Sequence, residues 1–413
     1  MSDFVSPPET SYQAVLGDRS LFPSLQPRVY ANHAGISAPS VAVSEAAQYV
    51  YKDYERRGVD SFLTWLVQRG RLKTKLAKLL GAAPESIALT QNTTRGVIDI
   101  ALCFPWNKGD RVVVFEGEFP SNVTPWQRAA ALFDLDVVYL SARDYLADTP
   151  SALSALSAEL TRTTGTRGPV RLVAVSAVEF QTGFRMPVSD MASLSHAHGA
   201  QLFVDAVQAC GVVPFDVTRD AIDYLACGSH KWLMGVEGCG LLYAAPTRAP
   251  ALRPHVAGWL SHEDGIGFLF NGEGHLRYDR PIKPTIDFIE GGNTNTAGFA
   301  ALEASVDLLL QLGVESIFTH VNLYNDALET ALLHRGFTSL RSKDPDHRSG
   351  SLCVKAPPGV SVLDIYRDLH ARGIACATPD GNLRFSPHWP NALAEVEVIV
   401  TEIDTILAAR HAG

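Results

Sequence analysis

Gln201-Leu-Phe-Val-Asp205, followed by Ala226-Cys-Gly-Ser-His-Lys-Trp232, decides how the rest of this chain is read. The first stretch is an apolar run ending on a carboxylate, which reads as a buried strand with Asp205 at its carboxyl end. Backbone hydrogen bonding fixes such a residue, so its charge points out of the sheet to where a ligand can meet it. The second stretch carries Lys231. A lysine amine able to form a Schiff base, and a carboxylate able to keep a pyridinium nitrogen protonated, are the two side chains that pyridoxal phosphate chemistry requires. Surface lysines and strand-end aspartates are each common alone, so the reading rests on the pieces around them.

Outward from this stretch, short β-branched runs alternate with longer amphipathic ones. The runs at 86–90, 111–115, 137–140, 171–176, 201–205, 224–227 and 240–243 predict strands, and 95–104, 151–161 and 187–198 predict helices between them. Near-continuous apolar strands separated by helices imply a mostly parallel sheet covered on both faces. Two further helices are predicted over 299–311 and 314–333. A smaller unit follows, with strand 351–355, helix 362–372, strands 374–377 and 382–385, and a closing helix over 392–409. The expected organisation is an N-terminal segment, 1–35, packing on the small domain; a large α/β domain, 36–294; and a small C-terminal α+β domain, 295–413. No internal repeat or low-complexity tract interrupts it.

The 413 residues are enough for two or three domains and a large core. A net charge of −9 without basic runs argues against nucleic acid as a partner. The start, Met1-Ser-Asp-Phe-Val-Ser-Pro-Pro-Glu-Thr10, lacks the basic-then-apolar order of a secretory leader, and no apolar run reaches membrane-spanning length. Six cysteines (Cys103, Cys210, Cys227, Cys239, Cys353 and Cys376) form no CxxC and no zinc spacing. They read as buried thiols of a cytoplasmic protein, and no metal site is expected.

Gln91-Asn-Thr-Thr-Arg-Gly96 lies between a strand and a helix. A helix start offers free N–H groups and a positive dipole end, which suit a phosphate when hydroxyls stand beside them. Simple N-capping by Asn92 or Thr93 accounts for the same residues. Neither a GxxxxGK[ST] loop nor a strand-linked GxGxxG is present, so a nucleotide-binding oxidoreductase is disfavoured. His196 and His198, beside Gly199, read as a solvated helix end, and His388 is open between structural and active-site roles.

Asp205-Ala-Val-Gln208, then Gly228-Ser-His-Lys-Trp-Leu-Met-Gly-Val-Glu-Gly-Cys-Gly-Leu-Leu-Tyr243, resembles the class V aminotransferase family of pyridoxal phosphate enzymes. The likeness runs from about Arg28 to Asn391. It implies the aspartate aminotransferase type of fold (fold type I), with a homodimer whose active site lies at the interface. It also implies Lys231 as the Schiff-base lysine and proton shuttle, and Asp205 as the partner of the pyridinium nitrogen. Gln208 matches the residue that bonds the cofactor's phenolic oxygen. Thr93 and Thr94 match the phosphate turn, and His230 the neighbour that helps hold that phosphate. In Glu118-Phe-Pro-Ser-Asn-Val-Thr-Pro-Trp126, Phe119 matches the aromatic residue stacked on the ring. A phenyl can stack but cannot relay protons.

Arg384, in Asn382-Leu-Arg-Phe-Ser-Pro-His388, matches the arginine that forks onto a substrate α-carboxylate. Asn32-His33-Ala-Gly35 resembles the segment that closes over the substrate. Glu290-Gly-Gly-Asn-Thr-Asn295 resembles the loop that reaches the neighbouring subunit's phosphate, with Asn293 where the family usually has threonine. Three departures stand out. The connection Thr378-Pro-Asp-Gly381 is too short for the catalytic-cysteine loop of cysteine desulfurases, and Cys376 reads as a packed strand thiol. Phe180 stands where desulfurases carry asparagine. Gln208 replaces the histidine of kynureninase.

The resemblance thus implies chemistry at the α-carbon of an amino acid, a small-molecule substrate held as its external aldimine. Transamination stands first. A β-lyase (a carbon–sulfur lyase without a persulfide cysteine) and an amino-acid epimerase are alternatives. A non-catalytic cofactor-binding protein is the competing class, and the complete set of Lys231, Asp205 and Arg384 speaks against it.

Overall fold

Side chains that alternate between two apolar environments build the centre of this molecule. The computed structural model describes residues 12–162 and 167–411; the first eleven residues of the expected N-terminal segment lie outside them. In chain order the elements begin with β1 (Val29–Tyr30), α1 (Val41–Arg57), α2 (Phe62–Leu80), β2 (Ile87–Thr90), α3 (Thr93–Cys103), β3 (Arg111–Glu116) and α4 (Thr124–Phe133). There follow β4 (Asp136–Ser141), α5 (Ala142–Ala147), α6 (Thr149–Thr161), β5 (Val170–Ser176), α7 (Val188–Ala197), β6 (Gln201–Asp205), β7 (Tyr224–Gly228) and β8 (Gly240–Ala244). The last third holds α8 (Thr296–Leu312), α9 (Val314–Leu333), β9 (Thr338–Ser339), β10 (Leu352–Lys355), α10 (Val362–Ala371), β11 (Ile374–Ala375), β12 (Leu383–Phe385) and α11 (Glu395–His411).

Strands β2 to β8 form one seven-stranded sheet in the order β2-β8-β7-β6-β5-β3-β4. Only β8 runs against its neighbours, pairing antiparallel with β2 and β7, while the pairs from β7 through to β4 are parallel. Successive residues face opposite sides. Val113, Val173, Leu202 and Leu225 join Leu72, Leu76, Leu156, Met191 and Leu302 in one core. Val112, Leu172, Phe203 and Tyr224 join Val97, Ile100 and Trp126 in the other. Both faces are covered, which is why these strands read as unbroken apolar runs.

All seven strands expected from the sequence are present in this one sheet. Helices α1 and α2, whose charged and apolar residues are closely mixed, were not resolved by pattern. They are held from outside: α1 and α2 lie along α8, and Gln68 of α2 donates 2.8 Å to Glu303. Helix α8 sends Leu302, Val306 and Leu309 into the core on the sheet, whereas α9 sends Tyr324, Leu328 and Leu332 into the C-terminal core. There β10 pairs with β9 and β12 in a three-stranded antiparallel sheet. The strand expected at 374–377 is shorter, Ile374–Ala375, and only Ala377 beyond it bridges antiparallel to Arg384 of β12. Val29 and Tyr30 pair in parallel with Ile374 and Ala375, so the N-terminal segment packs on the C-terminal unit through backbone pairing. No single helix among the described residues is long and apolar enough to cross a membrane.

Candidate active site

Loops leaving the carboxyl ends of β2, β3, β5, β6 and β7 converge on one cavity of about 510 Å³, closed on its far side by residues of the C-terminal unit. This is the edge of an α/β sheet where ligands are expected. Asp205, the last residue of β6, is buried there, and Val207 N donates to its Oδ1 at 2.9 Å. Burial pushes its carboxyl up to about 6, while the Val207 N–H and Lys231 pull the other way. The turn after β7 brings His230 and Lys231 into the same wall. Among the described residues the Lys231 Nζ has no hydrogen-bond or ion-pair partner; it stands 5.7 Å from the centroid of Phe119. Burial lowers the pKa of this amine, against the pull of Asp205, and lowers that of His230 as well.

The Lys231 turn is braced from behind. Ser37 N donates to His230 O at 2.7 Å, and Ser37 Oγ donates to Lys231 O at 2.6 Å. His33 Nδ1 lies 2.8 Å from that hydroxyl. Trp389 N donates to His388 Nδ1 at 2.7 Å, so Nε2 carries the hydrogen and donates to Trp232 O at 2.9 Å. These contacts settle His388 as a structural bridge, its pKa lowered to about 4 by burial. They also redirect the expectation for the N-terminal segment. His33 is fully buried against His388 and Ser37, and Asn32 bridges to Ser386; the cavity wall takes Ala34 and Gly35 instead. Ser37 was missed in the sequence because a lone serine in a loop carries no signal.

At the other end, Asn92 caps α3 by accepting from Arg95 N at 2.8 Å, and Thr93 and Thr94 open the helix in the cavity wall. Thr93 Oγ1 accepts from Gly228 N at 2.8 Å, tying the helix start to the end of β7. A Cβ at Gly96 would stand 2.8 Å from that of Ala226, so only glycine lets α3 lie this close to the strand. Thr94 Oγ1 and Ser121 Oγ are 2.7 Å apart. Asn293 is exposed and does not line the cavity of its own chain.

Phe119 keeps 47% of its surface open and meets Phe180 edge to face, with ring centroids 5.5 Å apart. Gln208 spends Oε1 on Trp232 Nε1 (2.8 Å) and one amide hydrogen on Ala34 O (3.1 Å), leaving the second hydrogen for a ligand. Arg384 is buried, yet none of its nitrogens meets a carboxylate among the described residues. Its Nη1 donates to Phe180 O at 3.0 Å, and its Nε is buried without a partner. Glu118, Ser176 and Glu179 also shape the site, though no role was assigned to them from sequence. Ser176 donates to Glu118 through both N (2.5 Å) and Oγ. Burial pushes the Glu118 carboxyl up to about 8, with Asp205 and Glu179 adding to the rise. Glu179 accepts from Thr182 N at 2.7 Å and Thr182 Oγ1 at 2.6 Å, which shapes the loop carrying Phe180.

Helix α7 ends on a tie as well: His196 Nε2 lies 2.7 Å from Asp223, so this histidine is anchored and not merely solvated. No group of three or more histidine, cysteine or acidic residues that could hold a metal occurs among the described residues. Cys376 is buried, and burial pushes its thiol up to about 12.

The donor set fits pyridoxal phosphate. A buried carboxylate with spare acceptor capacity suits a pyridinium N–H, and an unpaired, half-buried amine suits an aldehyde. A helix start with hydroxyls suits a phosphate, and an open phenyl suits a ring face. Fold and cavity together define a pyridoxal phosphate enzyme of fold type I. The family model of class V aminotransferases matches residues 29–383, and the chain belongs to that family. It is 25% identical over 386 residues to an uncharacterized aminotransferase, YcbU, of Bacillus subtilis, covering 93% of this chain and 96% of that one. It is 27% identical to a cysteine desulfurase of Dickeya dadantii (94% and 92% covered) and 25% identical to an isopenicillin N epimerase of Streptomyces clavuligerus (81% and 83%). Among solved structures it superposes on the cysteine desulfurase CsdA of Escherichia coli with a TM-score of 0.79 at 25% identity, covering 95% of this chain and 98% of that one. The protein is an enzyme, and its cofactor is pyridoxal 5′-phosphate.

Proposed function

We propose that this enzyme is a transaminase acting at the α-carbon of an amino acid. The observation that carries the reading is the pairing, across one cavity, of a half-buried amine, Lys231, with a buried guanidinium, Arg384, whose Nε has no partner and which meets no carboxylate among the described residues. In this reading Asp205 faces the ring nitrogen, Gln208 the phenolic oxygen, and Thr93, Thr94 and His230 the phosphate, while Phe119 covers the ring. Asn293, exposed on its own chain, reaches the phosphate site of a second copy.

When bound, the cofactor supplies an electron sink for the pair left at Cα and an acceptor for the amino group. Arg384 forks onto the α-carboxylate and so fixes where Cα stands. Lys231 Nζ removes the α-proton, and its burial favours the neutral amine that this requires. Phe119 and the apolar walls exclude water. Among the described residues no cysteine lines the cavity, and burial pushes the Cys376 thiol up to about 12, so they offer no persulfide acceptor there. Epimerisation by two bases would need a second proton carrier near Lys231, and the residue that faces it is phenylalanine.

The test is to give the loaded enzyme an amino acid with and without a 2-oxo acid acceptor. Formation of a new amino acid that depends on the acceptor supports transamination. Release of pyruvate and sulfide from cysteine without an acceptor selects the lyase, and loss of optical activity alone selects the epimerase.

A further inference from the structure

We propose that the substrate carries an uncharged, apolar side chain, and that Phe180 is the residue that sets this preference; the proposal rests on the reading of the cavity as an amino-acid site. The ionisable groups in the wall are Asp205, His230, Lys231 and Arg384. That reading commits the first three to the cofactor and the fourth to the α-carboxylate, which leaves no charge for a side chain. Phe180 and Ala377 adjoin Arg384, and Phe119, Val178 and Pro379 line the same cavity; among its hydroxyls, Ser176 is held on Glu118 and Ser121 on Thr94.

Three charged side chains around this part of the wall, Arg143, Glu118 and Glu179, are already engaged. Arg143 Nη2 meets Asp380 at 3.1 Å and Gln181 at 3.2 Å, so the rim next to Pro379 presents an ion pair and no net charge. Glu118 is held by Ser176, and Glu179 by Thr182 and the N–H groups of its own loop. An acidic or basic side chain entering here would lose its water and find no free counter-charge among the described residues of the wall. An apolar one would gain by covering the two phenyl rings.

Phe180 links this wall to the carboxylate clamp. Its ring meets Phe119 edge to face, at 87°, and its carbonyl oxygen holds Arg384 Nη1. The distance from the clamp to the apolar wall is therefore set inside one residue.

α-Methyl amino acids test this by binding alone, because they have no α-hydrogen to lose. The cofactor-loaded protein is titrated with 2-methylalanine, α-methylleucine, α-methylphenylalanine, α-methylaspartate and α-methylornithine, reading the shift of its visible band. The leucine and phenylalanine analogues are expected to bind at least about 100-fold tighter than the charged ones. In Phe180→Ala the preference for α-methylleucine over 2-methylalanine should fall roughly 10-fold. Charged analogues that bind as well as the apolar ones overturn the proposal, as does an unchanged preference in the variant. Silence from every analogue, 2-methylalanine included, overturns the underlying reading of the cavity and this proposal with it.

Discussion

Arg384 donates from Nη1 to the carbonyl oxygen of Phe180 at 3.0 Å, across 204 positions of sequence. This bond joins the three-stranded sheet of the C-terminal unit to a loop leaving the central sheet. A buried guanidinium has five N–H donors to satisfy. One is met by Phe180, Nε has no partner, and no carboxylate lies within ion-pair reach among the described residues. A substrate carboxylate would complete the set.

The role assigned to Arg384 has a direct consequence. Arg384→Lys keeps the charge but loses the planar fork, and Arg384→Ala loses both. Truncating one partner of a buried charged pair costs roughly 2–5 kcal/mol. The loss should fall on kcat/KM for amino acids, with the cofactor still bound and the decarboxylated amine little affected. Equal losses for acid and amine would remove Arg384 from the carboxylate site.

Lys231 should be the point of cofactor attachment. The purified protein is expected to absorb in the visible, and borohydride should fix the cofactor to the peptide containing Lys231. Lys231→Ala should abolish turnover. Label found on any other lysine would contradict the assignment.

Cys376 should be chemically silent. Its thiol is buried and stays protonated at neutral pH. Cys376→Ser is expected to leave turnover nearly unchanged. A loss of about 100-fold, equivalent to about 2.7 kcal/mol of barrier, would give this thiol a chemical role.

Glu118 should make stability depend on pH. Its carboxyl titrates near 8 in the fold, against an ordinary value of 4.5. Between those two values the folded form holds more protons than the unfolded one, so stability falls as pH rises through that window. Glu118→Gln is neutral throughout. The melting temperature of this variant, minus that of the wild type, should therefore climb between pH 5 and pH 8.5, and a flat difference would show that Glu118 is ionised in the fold.

Gly96 should tolerate no side chain. Gly96→Ala brings its Cβ within 2.8 Å of the Ala226 Cβ and pushes α3 away from β7. Overpacking of this kind costs typically ~1–3 kcal/mol. The displaced helix start should also weaken cofactor retention, measured by dialysis of the loaded protein.

Much of this was legible in the sequence because the signals are local. An apolar run ending in aspartate becomes β6 with Asp205 at its tip, and the same logic recovers the other six strands, since burial on both faces demands continuous apolar stretches. Lys231 and Asp205 could be nominated from their own local context, and Gln208, Thr93 and Phe119 from the family resemblance; the structure places all five around one cavity. Helices α1 and α2 escaped because contacts with α8 hold them, and those contacts come from more than 200 residues away.

The remaining features depend on distance through space, which no local pattern encodes. The sequence by itself determined the seven strands of the central sheet and the residue types offered to the cofactor, but not the short strands β1 and β9. Only the tertiary structure decided that His33 turns inward to Ser37, that His388 bridges to Trp232, and that Glu118 lies buried beside Asp205. It also decided that Arg384 reaches the site with no carboxylate partner of its own, and that Phe119 and Phe180 stand together over it. The physical reason is the same in each case. Propensity and hydrophobic period act within a few residues, whereas desolvation, orphaned donors and ring contacts arise only when distant segments are packed together.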